Sequence, residues 1–219
     1  MIDFSRARQN MVESQLRTNQ VTDRRVLEGF ETMPRELFVA EGRAGVAYCD
    51  EDVPCGAGRC LLEPMILARL LQALDIGAND VVLDVGCGTG YSSAVISRLA
   101  TTVVGLECEP ALAARANALM TELAIDNVMI AEGVLAAGHP AQAPYDAILV
   151  NGAAEEVPSA LTDQLTEGGR LGVVCVGGGC RTGSATLFVR SGGVVSGRKL
   201  FDAAVPVLPG FESRKGFVF

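Results

Sequence analysis

The spacing of hydrophobic residues changes twice along the chain and divides it into three parts. In residues 1–78 apolar side chains recur at helical spacing, as in M-V-E-S-Q-L and R-V-L-E-G-F-E-T-M, with a break at Pro34. From Asn79 short β-rich runs alternate with helical stretches. After the Gly178-Gly179 turn, A-T-L-F-V-R and V-V-S-G-R-K-L-F flank S-G-G, which is typical of a β-hairpin.

The middle part, residues 79–180, predicts a parallel sheet. Its strand candidates are V-V-L-D-V-G, T-V-V-G-L-E, N-V-M-I-A-E, Y-D-A-I-L-V-N-G and G-R-L-G-V-V-C-V. Helical stretches between them include Y-S-S-A-V-I-S-R-L-A and V-P-S-A-L-T-D-Q-L. Such alternation indicates an α/β fold, a doubly wound and mostly parallel sheet covered on both faces.

The complete prediction is one domain over residues 1–219 with three consecutive parts. Residues 1–78 form an N-terminal helical extension that ends in a loop, residues 79–180 form the α/β core, and residues 181–219 form an antiparallel hairpin and a tail. The hairpin would add antiparallel strands at one edge of the sheet.

Composition and charge exclude several classes of protein. The 219 residues are 49% hydrophobic, which is enough for a substantial core, and the formal net charge of -8 comes without a basic stripe that could meet phosphates. We therefore expect no nucleic-acid partner. The start of the chain lacks an apolar h-region and no apolar run reaches the length of a membrane span, so we also expect no signal peptide and no membrane partner.

The metal-binding residue types are arranged unfavourably for a metal site. Seven cysteines occur without a C-x-x-C pair, and His139 is the only histidine. Zinc sites need closely spaced cysteine and histidine ligands, so we expect no metal. Free thiols in a reducing compartment are the simpler interpretation, and we expect a cytoplasmic location.

The segment L-D-V-G-C-G-T-G-Y carries the clearest chemical signal. Gly86, Gly88 and Gly90 follow a predicted strand and open a predicted helix, where glycines let the backbone turn sharply and approach a ligand. Ligands of open α/β sheets bind at the carboxyl ends of the strands. The next strand ends in Glu107, whose carboxylate can accept both hydroxyl hydrogens of a ribose.

Two cofactors compete for this motif. A dinucleotide fingerprint requires a glycine at the position of Tyr91, where a small residue allows tight packing of helix on strand. Asp84, just before the turn, can hold an ammonium group, which S-adenosylmethionine has and nicotinamide cofactors lack. The pattern therefore favours S-adenosylmethionine. A purely structural turn, with Asp84 as a bracing acid and Glu107 as a solvated strand end, stays open at this point.

Together with these residues, longer segments make the chain similar to class I methyltransferases and, more narrowly, to the protein-L-isoaspartate O-methyltransferase family. The resemblance covers about residues 10–180 and includes M-P-R-E-L-F-V, A-Y-C-D-E-D-V-P-C-G-A-G and A-P-Y-D-A-I-L-V-N-G-A-A. It implies a Rossmann-like methyltransferase fold. It also implies methyl transfer to the α-carboxylate of isoaspartyl residues, a protein-repair reaction whose substrate is a peptide or protein carboxylate.

The resemblance also implies a set of cofactor-binding positions around the methionine, ribose and adenine groups: Asp84, Gly86, Gly88, Gly90, Glu107, Val134 and Leu135. Family members read G-D-G where this chain has Gly133, Val134 and Leu135. The aspartate that reaches the adenine amino group is thus replaced by Val134, and we expect looser cofactor binding.

A second departure lies in the segment G-R-C-L-L-E-P, where the family reads roughly G-Q-T-I-S-x-P. The resemblance makes Arg59, Cys60, Leu61 and Leu62 a substrate loop, with Leu62 at the position of the family's serine. Cys60, at the threonine position, has no histidine partner that would make it a nucleophile. An ionised carboxylate needs no general base to accept a methyl group, so the catalytic residue is left unassigned.

Three functions follow from these two departures. The first is an isoaspartyl O-methyltransferase, and the second is a related methyltransferase with a more apolar acceptor. The third is a degenerate cofactor-binding or interaction protein. The intact glycine turn with Asp84 and Glu107 favours an enzyme, whereas Leu62 and Val134 argue against ordinary repair.

Overall fold

A seven-stranded sheet forms the centre of the protein in a computed structural model that describes residues 2–177 and 182–213. Its strands are β3 (Val81–Val85), β4 (Thr102–Glu107), β5 (Val128–Glu132), β6 (Tyr145–Ala154), β7 (Leu165–Cys175), β8 (Gly183–Ser191) and β9 (Val194–Ala203). A separate antiparallel hairpin consists of β1 (Val53–Gly56) and β2 (Arg59–Leu61).

Six α-helices lie in the described residues: α1 (Phe4–Met11), α2 (Arg24–Thr32), α3 (Pro64–Leu74), α4 (Tyr91–Ile96), α5 (Pro110–Glu122) and α6 (Ser159–Thr162). A π-helical turn (Val12–Leu16) and a 3-10 turn (Arg17–Asn19) continue α1. None of the helices in the described part is long and apolar enough to cross a membrane.

The sheet order is β5-β4-β3-β6-β7-β8-β9. The first five of these strands run parallel, and β7-β8-β9 pair antiparallel at one edge. The predicted fold class, a doubly wound and mostly parallel sheet with C-terminal antiparallel strands, is therefore confirmed. Because β3 lies between β4 and β6, the order of the chain reverses at β3, where ligands of such sheets bind.

Local details differ from the predicted elements. The helix predicted over residues 91–100 ends at Ile96, and the one predicted over 157–165 is the single turn α6. The loop predicted at the end of the N-terminal extension contains the β1-β2 hairpin, with Ala57 and Gly58 at positive φ in its turn. The predicted Gly178-Gly179 turn lies outside the described residues.

Both faces of the sheet bury apolar side chains, and β3 shows how the strands divide between them. Val82 belongs to the larger core layer, which also contains the apolar faces of α2, α3 and α4. Leu83 and Val85 point the other way, into a smaller layer that contains Leu208 and Phe211. The larger layer thus attaches the N-terminal helices, and the smaller layer is covered partly by the segment after β9.

An aromatic cluster joins the N-terminal helices to the start of α4. Phe30 on α2 and Phe38 both contact the ring of Tyr91 edge-on, at centroid distances of 6.1 and 5.5 Å. All three side chains are at most 1% exposed. Arg35 lies over the same ring, 4.8 Å from its centroid. Tyr91 stands where a dinucleotide motif has its last glycine. Its ring anchors the N-terminal helices to the start of α4.

We expect Phe30→Ala to lower the free energy of unfolding by about 3–5 kcal/mol, because it removes a buried aromatic ring and leaves a cavity. Urea unfolding followed by circular dichroism measures the change. Val46→Ala, at a side chain that is 46% exposed, is the control and should stay within about 0.5 kcal/mol of the parent. A loss below about 1 kcal/mol for Phe30→Ala would mean that the N-terminal helices add little to the core.

Candidate active site

The glycine motif forms a tight turn at the carboxyl end of β3. Gly86, Gly88 and Gly90 all have positive φ, at 78°, 58° and 91°. The backbone N–H of Gly86 donates to the carbonyl of Leu106 at 2.8 Å, which ties the turn to β4. A Cβ at residue 86 would lie 2.8 Å from Nη2 of Arg59, so a side chain here would collide with that guanidinium. The turn therefore requires glycine for conformation and for space.

Asp84 is fully buried directly before this turn. Its Oδ2 accepts hydrogen bonds from the hydroxyls of Ser92 and Ser93, both at 2.6 Å, whereas its Oδ1 has no donor among the described residues. Burial raises the pKa of Asp84 to about 6, although the two serine hydrogen bonds oppose that rise; the negative charge of Glu107 adds to it. Asp84 is thus a buried acid with one free acceptor oxygen.

Asn151 brings a second free acceptor from the neighbouring strand β6. Its Nδ2 donates to Oγ of Ser92 at 2.6 Å, and its Oδ1 has no donor within the described part of the chain. Ser92 therefore links Asp84 to Asn151. Buried acceptors are nearly always paired, and an ammonium group with three N–H donors suits two such oxygens. These two acceptor oxygens fit the ammonium group at the methionine end of S-adenosylmethionine.

Glu107 lies fully buried at the end of β4. Its carboxylate accepts backbone N–H groups of Gly88 at 2.7 Å, Cys108 at 2.8 Å and Glu109 at 3.1 Å. Nη1 of Arg59 lies 3.0 and 3.2 Å from its two oxygens. The carboxylate predicted for the ribose is thus present at the end of β4, and an arginine from the substrate loop is paired with it.

Arg59 was predicted as a substrate-loop residue without a role at the cofactor motif. It lies on β2, its side chain is only 8% exposed, and its Nη2 donates to the carbonyl of Gly86 at 2.9 Å. The guanidinium therefore bridges the glycine turn and Glu107. The sequence does contain a sign of this role, because residue 59 is charged where the related family has glutamine.

A small pocket of about 110 Å³ opens beside this ion pair. The residues that shape it come from the substrate loop, the end of β6 and the segment after β9: Gly58, Arg59, Cys60, Leu62, Asn151 and Leu208. Among the described lining residues Arg59 carries the one charge.

The segment after β9 had no assigned role in the sequence analysis, yet it forms part of this pocket. The backbone N–H of Ala153 donates to the carbonyl of Pro206 at 2.8 Å, and that of Leu208 donates to the carbonyl of Ala153 at 2.9 Å. Gly152 leaves room for Leu208, whose Cδ2 would lie 2.7 Å from a Cβ at that position. Asn151 was missed as well, although it is a polar residue inside an apolar strand, as Asp84 is.

The remaining loop residues are buried in different ways. Leu62 is 2% exposed and lines the pocket, and its carbonyl accepts a hydrogen bond from Nη2 of Arg35 at 2.8 Å. Leu61 is 3% exposed within the larger core layer. Burial, the nearby Asp52 charge and Cys55 raise the pKa of Cys60 to about 12, which keeps its thiol protonated at neutral pH. Cys60 is therefore not activated as a nucleophile by its surroundings.

The two residues predicted near the adenine differ in solvent exposure. Val134 is 69% exposed directly after β5, whereas Leu135 is 1% exposed in the smaller core layer. The backbone N–H of Gly133 donates to the carbonyl of Glu107 at 3.0 Å, so this segment begins beside the predicted ribose carboxylate. Neither side chain offers a polar contact, and their contact with an adenine stays a prediction.

Within the described ranges no group of three or more histidine, cysteine, aspartate or glutamate side chains is arranged to hold a metal ion. The six cysteines that the structure describes are free thiols.

Comparison with known proteins points to one family. The model of the protein-L-isoaspartate(D-aspartate) O-methyltransferase family matches residues 6–205. A protein-L-isoaspartate O-methyltransferase 1 of Syntrophobacter fumaroxidans is 42% identical over 179 residues, which cover 81% of this chain and 82% of the relative. A solved protein-L-isoaspartate O-methyltransferase matches with a TM-score of 0.82 at 26% identity, over 94% of this chain and 67% of that one.

A second solved structure supports the fold alone, because it is 22% identical. It is a Plasmodium falciparum protein in complex with S-adenosyl-L-homocysteine, with a TM-score of 0.77 over 92% of this chain and 97% of that one. The family model and the bacterial relative confirm the resemblance inferred from the sequence. The chain belongs to the protein-L-isoaspartate O-methyltransferase family of S-adenosylmethionine-dependent enzymes.

Proposed function

We propose that this protein methylates the α-carboxylate of isoaspartyl residues in peptides and proteins. The observation that supports it most is the arrangement at the carboxyl ends of β3, β4 and β6. There Asp84 and Asn151 offer free buried oxygens, Glu107 offers a carboxylate, and a small pocket opens next to them. The acceptor, the location and the residue roles below are all part of this proposal.

The cofactor-binding roles follow from the donors and acceptors. Asp84 Oδ1 and Asn151 Oδ1 accept from the ammonium group, and Glu107 accepts from the ribose hydroxyls. The glycine turn lets the backbone come close to the methionine moiety. When bound, S-adenosylmethionine supplies a methyl group on a positively charged sulfur. Leu135 and Val134 contribute apolar contact on the adenine side.

The acceptor side needs positioning rather than proton transfer. A carboxylate with an ordinary pKa near ~4 is ionised at pH 7, so no residue has to remove a proton from it. Leu62 and Leu208 line the pocket with apolar surface, which excludes water from the reacting atoms. Cys60 stays a neutral thiol and serves as part of the loop. We assign no general base.

We further propose that the protein works in the cytoplasm on peptide or protein carboxylates, without a nucleic-acid or membrane partner. The free thiols suit a reducing compartment. The acidic composition, with a formal net charge of -8, is unfavourable for phosphate backbones.

Methyl transfer from labelled cofactor tests the proposal directly. The acceptors are an isoaspartyl peptide and the aspartyl peptide of the same sequence, and we expect label only in the first. Equal labelling of both peptides would contradict the proposed specificity. Cofactor binding without transfer to either peptide would instead favour an acceptor that is more apolar, as Leu62 suggests, or an interaction protein that has lost transfer.

Leu62→Ser should methylate isoaspartyl peptide about tenfold faster than Leu62→Ala, because a hydroxyl can hydrogen-bond the acceptor carboxylate. Both variants lose a buried leucine side chain and should be about 2–5 kcal/mol less stable than the parent. The alanine variant is therefore the matched control for packing. Turnover and melting temperature are measured together, and equal rates for the two variants would restrict residue 62 to packing.

Cofactor affinity should fall about fivefold between pH 7.5 and pH 5.4. The raised pKa of Asp84, about 6, means that the acid takes up a proton in this range and stops attracting an ammonium group. Calorimetry with S-adenosylhomocysteine, which keeps the ammonium, measures the change. Asp84→Asn should bind weakly and lose the pH dependence, whereas Asp126→Asn, at an exposed site, should keep it.

Val134→Asp should bind S-adenosylmethionine two- to tenfold more tightly, because it restores an acceptor for the adenine amino group. Val134 is 69% exposed, so the change costs little stability. Val134→Ala removes the same side chain without adding an acceptor and is the control. An aspartate variant that binds no better than the alanine variant would place residue 134 outside the adenine site.

A further inference from the structure

The buried ion pair between Arg59 and Glu107 uses the carboxylate that the proposed function assigns to the ribose. Arg59 reaches both oxygens of Glu107, at 3.0 and 3.2 Å, and also the carbonyl of Gly86 at 2.9 Å. Arg59 and a ribose therefore compete for the same acceptor. A ribose that takes both oxygens of Glu107 would displace the guanidinium.

Glu107 does not depend on Arg59 for its charge to be accommodated. Backbone N–H groups of Gly88, Cys108 and Glu109 all donate to it, and they belong to the glycine turn and to the start of α5. A carboxylate with three backbone donors stays stabilised in a buried place when one partner leaves. The ion pair is thus exchangeable on the Glu107 side.

Once Arg59 leaves Glu107, the hydrogen bond that it retains goes to the neutral carbonyl of Gly86, which does not balance its charge. Its side chain is 8% exposed, and a buried cation without a partner is strongly unfavourable. The pocket that it lines offers no other charged side chain in the described part of the chain, only apolar groups, a neutral thiol and the Asn151 amide. A released guanidinium in this pocket needs an anion.

The acceptor in this reaction is an anion that needs a cation. A carboxylate that enters an apolar pocket loses hydration, and Leu62 provides no hydroxyl to replace it. The planar guanidinium matches a carboxylate with two parallel hydrogen bonds. A carboxylate held in this way is oriented by both oxygens, and each oxygen keeps a lone pair for the methyl carbon.

We propose that Arg59 binds the acceptor carboxylate, and that cofactor binding frees it for this role by displacing it from Glu107. The inference rests on the proposed function. In the transfer a carboxylate oxygen forms a bond to the methyl carbon, and the electron pair of the broken carbon–sulfur bond stays on sulfur. The ester is neutral, so the guanidinium loses its partner on methylation and pairs with Glu107 again as the products leave.

The test combines two affinities that this exchange moves in opposite directions. Calorimetry with S-adenosylhomocysteine alone measures cofactor binding. Fluorescence anisotropy with labelled isoaspartyl peptide, at saturating S-adenosylhomocysteine, measures acceptor binding without turnover. For Arg59→Gln we expect cofactor binding about 3- to 10-fold tighter and peptide binding about 10- to 100-fold weaker, with a matching rise in KM.

Two further variants control this experiment. Arg59→Lys keeps the charge without the planar fork, so peptide binding should recover to within about tenfold of the parent. Arg69→Gln removes an arginine that stacks on Phe201, 3.8 Å from the ring centroid, and should change neither affinity. If Arg59→Gln does not fold, the same two affinities measured for Arg59→Lys test the inference. We then expect peptide binding about 3- to 10-fold weaker than in the parent.

Four results would overturn the inference. Weaker cofactor binding in Arg59→Gln would mean that the arginine supports the cofactor. Unchanged peptide binding with tighter cofactor binding would mean that Arg59 only competes with the cofactor for Glu107 and does not bind the acceptor. A parent protein that neither methylates nor binds isoaspartyl peptide would contradict the proposed function and the inference together. If the parent methylates the peptide and Arg59→Gln keeps full peptide affinity, the inference alone is contradicted.

Discussion

The buried carboxylate of Glu107 is the constraint on which the site depends. Glu107 is fully buried, and a charge that is removed from water must be compensated by hydrogen bonds or by opposite charge. Here the compensation comes from three parts of the chain: Gly88 in the glycine turn, the backbone at the start of α5, and Arg59 in the β1-β2 hairpin. One side chain therefore joins the sheet, the turn and the β1-β2 hairpin in this structure.

A second set of polar contacts organises the opposite side of the glycine turn. Ser92, in the first turn of α4, donates to Asp84 and accepts from Asn151. Arg35, fully buried, donates to the carbonyls of Ala47 and Leu62 and lies over Tyr91. The N-terminal helices thus support the substrate loop through backbone carbonyls, so that the loop can vary its side chains, as in Leu62, while its backbone path is retained.

The sequence predicts those parts of the molecule that depend on local pattern. The strands of the core, the positive-φ glycines and the two strand-end acids follow from periodicity and from where ligands bind in parallel sheets. The contact of Arg59 with Glu107 joins residues 48 positions apart, and the pairing of Ala153 with Pro206 joins residues farther apart still. Neither leaves a local signal. The two over-long helices were predicted from apolar spacing alone, which does not show where a chain turns toward the next strand.

The position of the segment after β9 in the chain determines when the pocket can be completed during synthesis. Pro206 and Leu208 pair with Ala153, and the side chain of Leu208 lies against Gly86 and Gly152, so one wall of the pocket is synthesised after the whole parallel sheet. A growing chain that has reached β7 contains the glycine turn, Asp84 and Glu107, but not the segment that forms this wall. The pocket is therefore completed only after β9, so its shape depends on residues that follow every strand carrying the glycine turn and the two buried acids.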